Sequence, residues 1–257
     1  MMAEKAILYD ATRCTGCRGC QAACKQWNDL EAEETSNWGS YENPPDLTAR
    51  TWLKMRFIEI SDNGTLRWLF NRRSCMHCTD AGCVRACPSQ ALYHDDLGFV
   101  GVDRGRCTGC GYCVEACPFD VPRLDGSRWD VTAKADKCTF CMDRVPNGLE
   151  PACVKTCPPK ALVYGDRADL VALGKSRVAS LGGNARLYGD TELDGLHVMY
   201  VLDGTPEEYG LPADPKVSDV TVAWQQVLKP LGYAVMGLVA LGLAVNYMVA
   251  RARMVEK

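Results

Sequence analysis

The sequence predicts an α+β protein made of two nested cysteine-rich units, with a β-hairpin insert and one C-terminal transmembrane helix. Three observations lead to this fold class: the cysteines are grouped in four clusters, residues 51–71 alternate apolar and polar side chains, and residues 231–250 carry no charge. A length of 257 residues allows one or two domains with hydrophobic cores of their own. The 29 basic and 32 acidic residues give a net charge of -3, so the composition indicates no nucleic-acid-binding surface.

All 16 cysteines belong to four groups, and none is left over. The first and third groups share the spacing CxxCxxCxxxC, and the pentapeptide RCTGC opens both of them. The four groups are Cys14, Cys17, Cys20, Cys24; then Cys75, Cys78, Cys83, Cys87; then Cys107, Cys110, Cys113, Cys117; then Cys138, Cys141, Cys153, Cys157.

Three kinds of chemistry use cysteines in this number. Disulfide frameworks belong to small secreted chains, and their cysteines are spread out to join distant loops. Structural zinc usually joins two separated CxxC motifs, whereas here the first and third groups place three cysteines within seven residues. That spacing is typical of bacterial ferredoxins. The sequence therefore favours iron-sulfur clusters over zinc and over disulfides.

The same spacing predicts how the groups combine. The fourth cysteine of such a group binds the neighbouring cluster, so we expect the groups to work in pairs and to hold four 4Fe-4S clusters. Only 19 residues separate the second group from the third, while the first and fourth groups stand far apart. We therefore expect residues 71–124 to form one ferredoxin-like unit, nested within another formed by residues 1–70 and 125–203.

Other segments have recognisable local patterns. TWLKMRFIEIS and TLRWLFN flank Asn63-Gly64, a typical hairpin turn, and predict a β-hairpin. Residues 167–183 predict a helix closed by Gly182, and residues 197–203 predict a strand. Three prolines indicate a linker at residues 204–229.

The last part of the chain predicts a transmembrane helix at residues 230–251. Twenty consecutive residues, LGYAVMGLVALGLAVNYMVA, carry no charge, and about that length crosses a bilayer. Pro230 suits a helix start, and Arg251 and Arg253 end the apolar run. A buried core helix is the alternative, but a chain of this size built around metal offers little core to enclose it. The basic residues after the helix, Lys257 included, slightly favour a cytoplasmic C-terminus.

Longer stretches around the cysteines resemble a known family. They are CxxCxxCQAACKQWND at residues 14–29, CGYCVEACPFDVPR at 110–123, KCTFCMDRVPNGLEPACVKTCP at 137–158 and HVMYVL at 197–202. Together with the C-terminal apolar helix they are similar to the iron-sulfur (beta) subunit of membrane-bound formate dehydrogenase. The cysteine pattern alone fits the wider group of four-cluster ferredoxin-like subunits of molybdopterin oxidoreductases, which includes nitrate, dimethyl sulfoxide and polysulfide reductases and some hydrogenases.

The resemblance implies four ligand sets. They are Cys14, Cys17, Cys20 and Cys157 for the first cluster; Cys24, Cys138, Cys141 and Cys153 for the second; Cys75, Cys78, Cys83 and Cys117 for the third; and Cys87, Cys107, Cys110 and Cys113 for the fourth. The first cluster is expected to face the catalytic subunit, and the fourth to lie nearest the membrane haem.

The resemblance also implies a non-catalytic electron-transfer subunit. Electrons from formate would pass through four 4Fe-4S clusters, from a molybdenum- or tungsten-bis-pterin catalytic subunit with its own iron-sulfur cluster to a membrane cytochrome b and quinone site. We expect a single-pass protein of the inner membrane whose cluster-binding part lies on the periplasmic face. Residues 1–30 contain no apolar signal segment and no twin arginine, so export together with a twin-arginine-signalled partner is expected.

No set of residues suits bond-making catalysis, since the sequence lacks GxSxG and phosphate-binding glycine motifs and its 3 histidines have no metal-site spacing. His77, between two cysteines, is expected either to donate a hydrogen bond near a cluster or to face solvent. Trp27 and Trp129 are expected to pack in the core rather than relay electrons. Lys155 is expected to act on a cluster through its charge rather than to be merely solvated.

Two alternatives to the formate dehydrogenase subunit stay open. One is the iron-sulfur subunit of another molybdopterin oxidoreductase or of a hydrogenase. The other is a zinc-stabilised membrane adaptor without a redox role. Colour separates the second alternative from the first, because iron-sulfur proteins are brown and bleach on reduction whereas zinc proteins are colourless.

Overall fold

A computed structural model describes residues 3–62, 64–127, 130, 132–218, 220 and 223–255. The chain divides into two compact units, residues 1–217 and residues 218–257. The cysteine-rich unit, residues 1–217, contains every cysteine, and its buried apolar side chains gather around them. The C-terminal unit, residues 218–257, is helical.

The strands of the cysteine-rich unit form one four-stranded sheet and three separate antiparallel pairs among the described residues. They are β1 (Lys5–Asp10), β2 (Lys54–Asp62), β3 (Thr65–Arg73), β4 (Leu92–His94), β5 (Val100–Val102), β6 (Arg123–Leu124), β7 (Ala135–Asp136), β8 (Leu162–Asp166), β9 (Arg186–Tyr188) and β10 (Val198–Leu202). The sheet has the order β8-β1-β10-β9. β1 runs parallel to β10 and antiparallel to β8, and β2 pairs with β3, β4 with β5 and β6 with β7.

The helices of this unit are mostly short. They are α1 (Gly19–Trp27), α2 (Gly82–Arg85), α3 (Tyr112–Glu115), α4 (Ala152–Lys155) and α5 (Arg167–Leu181), with 3-10 turns at Ala11–Arg13, Val145–Asn147, Glu192–Asp194 and Glu207–Tyr209. Each of the first four helices carries the third cysteine of one group. Regular structure near the cysteines is therefore sparse.

The four-stranded sheet is buried on both faces because alternate residues of a strand point to opposite sides. Ala6 and Leu8 of β1 pack with Leu170 of α5. Ile7 and Tyr9 point the other way and belong to the large core that also contains cysteines of the first and fourth groups. One face of the sheet thus carries a helix, and the other face supports the cysteines.

Most of the predicted elements are confirmed. The helix predicted at residues 167–183 spans Arg167–Leu181 and ends at Gly182, which adopts a φ of 67°. The strand predicted at residues 197–203 is β10. The two strands of the predicted hairpin pair in register from Lys54 opposite Arg73 to Asp62 opposite Thr65. The predicted turn residue Asn63 lies outside the described residues.

The predicted linker spans residues 204–229, and its first half packs within the cysteine-rich unit. Tyr209 is buried, and its carbonyl accepts a hydrogen bond of 2.6 Å from Nδ2 of Asn71. The Tyr188 hydroxyl donates to the carbonyl of Pro212 at 2.8 Å. The division between the two units falls after Val217, within the predicted linker.

The C-terminal unit contains a π-helical turn, Trp224–Leu228, followed by α6 (Lys229–Val255). Within α6, Lys229–Arg251 form 23 residues whose most apolar stretch has a mean hydropathy of 1.8, with none of that stretch buried. By length and composition this is a candidate membrane span, and it contains the predicted helix at residues 230–251. The side chains of Arg253 and Lys257 lie outside the described residues.

Candidate metal centre

Three cysteines of the first group lie beside the last cysteine of the fourth. Burial raises the pKa of the Cys14 thiol, and the thiols of Cys157 and Cys17 raise it further, against hydrogen bonds from Tyr9 and Gly16. Burial raises the pKa of Cys20 to about 12, with contributions from Cys153, Cys14 and Cys157. Neighbouring thiols act in this way because adjacent thiolates repel each other. Cys17 is exposed, while Cys20 and Cys157 are buried.

Cys24, the fourth cysteine of the first group, lies near a different set of thiols. Burial raises the pKa of Cys24, followed by the thiols of Cys138, Cys153 and Cys141. These four cysteines line one largely enclosed cavity, together with Ile7, Asn28, Trp52, Arg72, Thr139, Phe140 and Pro151. A cavity lined by four cysteines is a place where a metal cluster would be held.

The second group gathers around the last cysteine of the third. Burial raises the pKa of Cys78, and the thiols of Cys75, Cys117 and Cys83 add to the effect. Burial also raises the pKa of Cys117 to about 11. Among these four, Cys75 and Cys83 are buried and the other two are partly buried.

The remaining four cysteines form the fourth thiol neighbourhood, that is, a group of cysteines that raise one another's pKa. Burial raises the pKa of Cys113 to about 12, and the thiols of Cys107, Cys110 and Cys87 raise it further. Cys110 is exposed. Members of each predicted ligand set thus raise one another's pKa, and some effects cross between sets, as from Cys153 to Cys20. Cys17 and Cys110 reach the surface.

A single metal ion and a cluster make different demands on the thiols. Among the described residues, no three His, Cys, Asp or Glu side chains lie close enough together to bind one metal ion. One zinc ion needs four ligand atoms about 2.0–2.3 Å from a single point, whereas a cubane offers a separate iron atom to each thiol. Buried thiols with a raised pKa lose their protons when they bind metal, because only the thiolate is a ligand.

Backbone N–H groups donate to the sulfur atoms in a repeated pattern. Gly16 donates to Cys14 and Phe140 donates to Cys138, each at 3.4 Å. The two donors occupy the same place, two residues after the first cysteine of a CxxC motif. Such hydrogen bonds stabilise thiolates and influence the potential of a bound cluster.

The structure corrects two predictions about single residues. His77 is fully buried, so the solvent-facing alternative is wrong; its Nδ1 accepts from the Val100 N–H at 3.1 Å. Trp27 is 47% exposed, so the predicted core packing is wrong as well. Its Nε1 donates to Asp143 at 2.7 Å, and the Arg144 guanidinium lies 4.1 Å from a ring centroid.

Trp129 and Lys155 are the other two residues with a sequence-based prediction. Trp129 lies outside the described residues. Lys155 is exposed and lines an open surface pocket with Trp27 and Arg144.

Two buried cations beside the thiols were missed by the sequence reasoning. Arg72 and Lys137 are 0% and 2% exposed. Arg72 directly follows TLRWLFN, the stretch that predicts β3, and nothing in the sequence there distinguishes it from the neighbouring Arg73. Lys137 directly precedes Cys138, and this adjacency is the only signal that could have found it.

Comparisons with known proteins agree with this arrangement. Two families described as 4Fe-4S dicluster domains match residues 13–91 and residues 66–167. A third family, described as formate dehydrogenase N, transmembrane, matches residues 217–257.

Related proteins cover most of the chain. The formate dehydrogenase-O iron-sulfur subunit of Escherichia coli (strain K12) is 43% identical over 236 residues, which are 89% of this chain and 77% of that protein. The nitrate-inducible formate dehydrogenase iron-sulfur subunit of the same organism is 45% identical over 240 residues, or 90% and 80%. The thiosulfate reductase electron transfer subunit of Salmonella typhi is 38% identical over 187 residues, or 72% and 85%.

These relatives and the matched families confirm the predicted resemblance, including 4Fe-4S clusters, an electron-transfer role without catalysis, and a C-terminal membrane anchor. The thiol neighbourhoods and the apolar helix are the structural counterparts of those properties. The chain belongs to the family of formate dehydrogenase iron-sulfur subunits.

Proposed function

We propose that this chain carries electrons in a membrane-bound formate dehydrogenase, with four 4Fe-4S clusters between the catalytic subunit and the membrane. The observation that carries the proposal is the grouping of the thiols, because four of them line one cavity and members of each proposed set raise one another's pKa. When bound, such clusters accept and release single electrons. The chain supplies thiolates to hold them, N–H groups that donate to sulfur, and buried charges that influence their potentials.

The proposed ligand sets define two nested units. The first and second sets draw on the first and fourth cysteine groups, and the third and fourth sets draw on the second and third groups. Residues 71–124 would then form a unit within residues 1–70 and 125–203, followed by a linker at 204–229 and a membrane helix at 230–251. Two apolar cores follow this division: one contains Cys20, Cys24, Cys153 and Cys157, and another contains Cys83, Cys107 and Cys113. A third core joins the two units, because it contains both Cys75 and Cys138.

The nesting is tested with two cysteines of one group, Cys153 and Cys157. In the proposal Cys157→Ser alters the cluster bound by the first group, whereas Cys153→Ser alters the cluster that also uses Cys138 and Cys141. Low-temperature EPR of the reduced complex distinguishes the two centres, and Cys17→Ser and Cys141→Ser supply reference spectra. If Cys157→Ser reproduces the spectrum of Cys141→Ser, the nesting is refuted.

The proposed neighbours follow from the surface of the chain. Cys17 and Cys110 are the exposed cysteines of the described residues, and they belong to the first and fourth sets. We place the molybdenum or tungsten catalytic subunit beside the first set, and a membrane cytochrome b with its quinone site beside the fourth. The cluster-binding part would lie on the periplasmic side of the inner membrane, after export with a twin-arginine-signalled catalytic partner.

A second candidate keeps the same role but changes the substrate of the catalytic partner. The 38% identity to a thiosulfate reductase electron transfer subunit favours it specifically. The formate dehydrogenase transmembrane family that matches residues 217–257 favours formate. The residues of this chain do not touch the substrate in either case.

The deciding experiment is to purify the native complex through this chain without oxygen and to record visible absorption as formate is added. Rapid bleaching near the absorption of iron-sulfur clusters supports the formate assignment. If dithionite bleaches the complex and formate does not, the electron-transfer role stands and the substrate assignment fails. A colourless complex that contains zinc would refute both.

A further inference from the structure

Arg72 places a positive charge inside the cavity of the second ligand set. Its side chain is fully buried, and it lines the same cavity as Cys24, Cys138, Cys141 and Cys153. Its Nη2 atom donates to the Cys153 sulfur at 3.6 Å.

The rest of the guanidinium is less well satisfied by the described residues. Nε and Nη1 of Arg72 are buried without a hydrogen-bond acceptor among the described residues. The described part of the chain also offers this guanidinium no ion pair with a carboxylate; Arg73, the next residue, pairs with Asp46 and Asp120. A guanidinium is always charged, and a buried charge without a counter-charge is strongly unfavourable.

Lys137, the other buried cation near the cysteines, differs in this respect. Its ammonium donates to the carbonyl oxygens of Val100 at 2.5 Å and Cys138 at 2.9 Å. Lys137 is therefore satisfied by the backbone. Arg72 needs a negatively charged partner that the side chains around it do not supply, apart from the thiols.

A 4Fe-4S cluster bound by four thiolates is such a partner, because it is negatively charged overall. It becomes one unit more negative when it gains an electron, and a fixed positive charge stabilises the more negative state. The electron comes from a neighbouring reduced centre or, in a titration, from dithionite, and the guanidinium gains and loses no proton.

We propose that Arg72 is the counter-charge of the cluster bound by Cys24, Cys138, Cys141 and Cys153, and that it raises the reduction potential of this cluster. The proposal rests on the ligand sets given under the proposed function.

The test is a redox titration of the anaerobically purified complex, followed by EPR at low temperature. Arg72→Met removes the charge, Arg72→Gln removes the charge but keeps hydrogen-bond donors, and Arg72→Lys keeps the charge. Arg67→Met is the matched control, since Arg67 lies on the same strand, is 36% exposed and pairs with Asp203 and Glu208. Iron content per chain is measured for each variant, and Cys141→Ser identifies the signal of the second cluster.

We expect the two neutral variants to change the reduced-to-oxidised ratio of the second cluster at least tenfold at a fixed potential, a downward shift of about 59 mV for a one-electron couple. Arg72→Lys and Arg67→Met should stay close to wild type. Loss of this cluster from both neutral variants but not from Arg72→Lys would equally support a counter-charge.

Two results would overturn the proposal. One is a neutral variant with full iron content and unchanged potentials. The other is loss of the cluster from Arg72→Lys as well, since the shape of arginine and not its charge would then be needed. If Cys141→Ser alters no single EPR signal, the ligand set fails instead, and the proposed function is the part to be revised.

Discussion

Gly109 provides a sharp test of how the RCTGC loops are built. It lies between Cys107 and Cys110 with a φ of +71°, and a Cβ atom at this position would lie 2.4 Å from the carbonyl oxygen of Ala133. Gly148 has nearly the same φ, +72°, but a Cβ atom there would meet nothing within 4 Å. Replacement by alanine therefore costs backbone strain at both positions and produces a clash at Gly109 alone.

The expected magnitudes follow from these two terms. The left-handed backbone costs a non-glycine residue about 1–2 kcal/mol, and this applies to both variants. Overpacking adds roughly 1–3 kcal/mol at Gly109, because the obstructing atom is backbone and cannot rotate away. For a unit of this size each kcal/mol lowers the melting temperature by roughly 2–4 °C. Gly109→Ala should thus melt roughly 2–12 °C below Gly148→Ala.

The assay is anaerobic thermal melting of the purified complex, followed by loss of visible iron-sulfur absorption, with iron content measured beforehand. We expect Gly109→Ala to lose iron from the cluster of the third cysteine group, and Gly148→Ala to keep the wild-type content. Equal melting temperatures and equal iron contents for the two variants would refute the reasoning, because the contact with Ala133 would then affect neither stability nor cluster binding.

Three further outcomes are expected. Gly16→Ala, at the matching place in the first RCTGC loop, would put its Cβ atom 2.7 Å from the ring of Phe70, a side chain rather than backbone, so its melting temperature should fall between those of the two variants above. A value outside that range contradicts this. Leu8→Ala should lower the free energy of unfolding by about 2–5 kcal/mol, because Leu8 packs in the core beneath α5. The control Leu173→Ala, at a residue that is 38% exposed, should cost about 0.5 kcal/mol or less. Equal losses in chemical denaturation would argue against that packing. Removal of residues 218–257 should release the chain from washed membranes into the supernatant after centrifugation, and continued sedimentation with membranes would count against the anchor.

The sequence predicts best what depends on neighbours along the chain. The CxxC spacing fixes which thiols can share a loop, and the structure places Cys14 and Cys17 together accordingly. The alternation in residues 51–61 and 65–71 likewise predicts a hairpin, because a two-residue period is local. The apolar run of α6 is recognisable from composition alone.

Properties that depend on tertiary packing could not be predicted from the sequence. Trp27 is the last residue of α1 and is half exposed, with its ring against the Arg144 guanidinium. His77 follows a cysteine in a short loop, a position that is often solvated, yet it is fully buried because Phe99 and Phe140 pack against its ring. In both cases the burial depends on residues far away in the sequence.

Strand β3 shows why the hairpin insert is part of the metal centre. Hydroxyl groups from the main sheet hold its backbone: Tyr9 donates to the carbonyl of Phe70 at 2.8 Å, and Tyr200 donates to the carbonyl of Arg72 at 2.5 Å. These two strand residues share a face because they are two apart. That face puts the Phe70 ring against Gly16 of the first loop and the Arg72 guanidinium beside Cys153. A change of register by one residue would move both side chains to the other face, so the pairing of this hairpin fixes the charge next to the second ligand set.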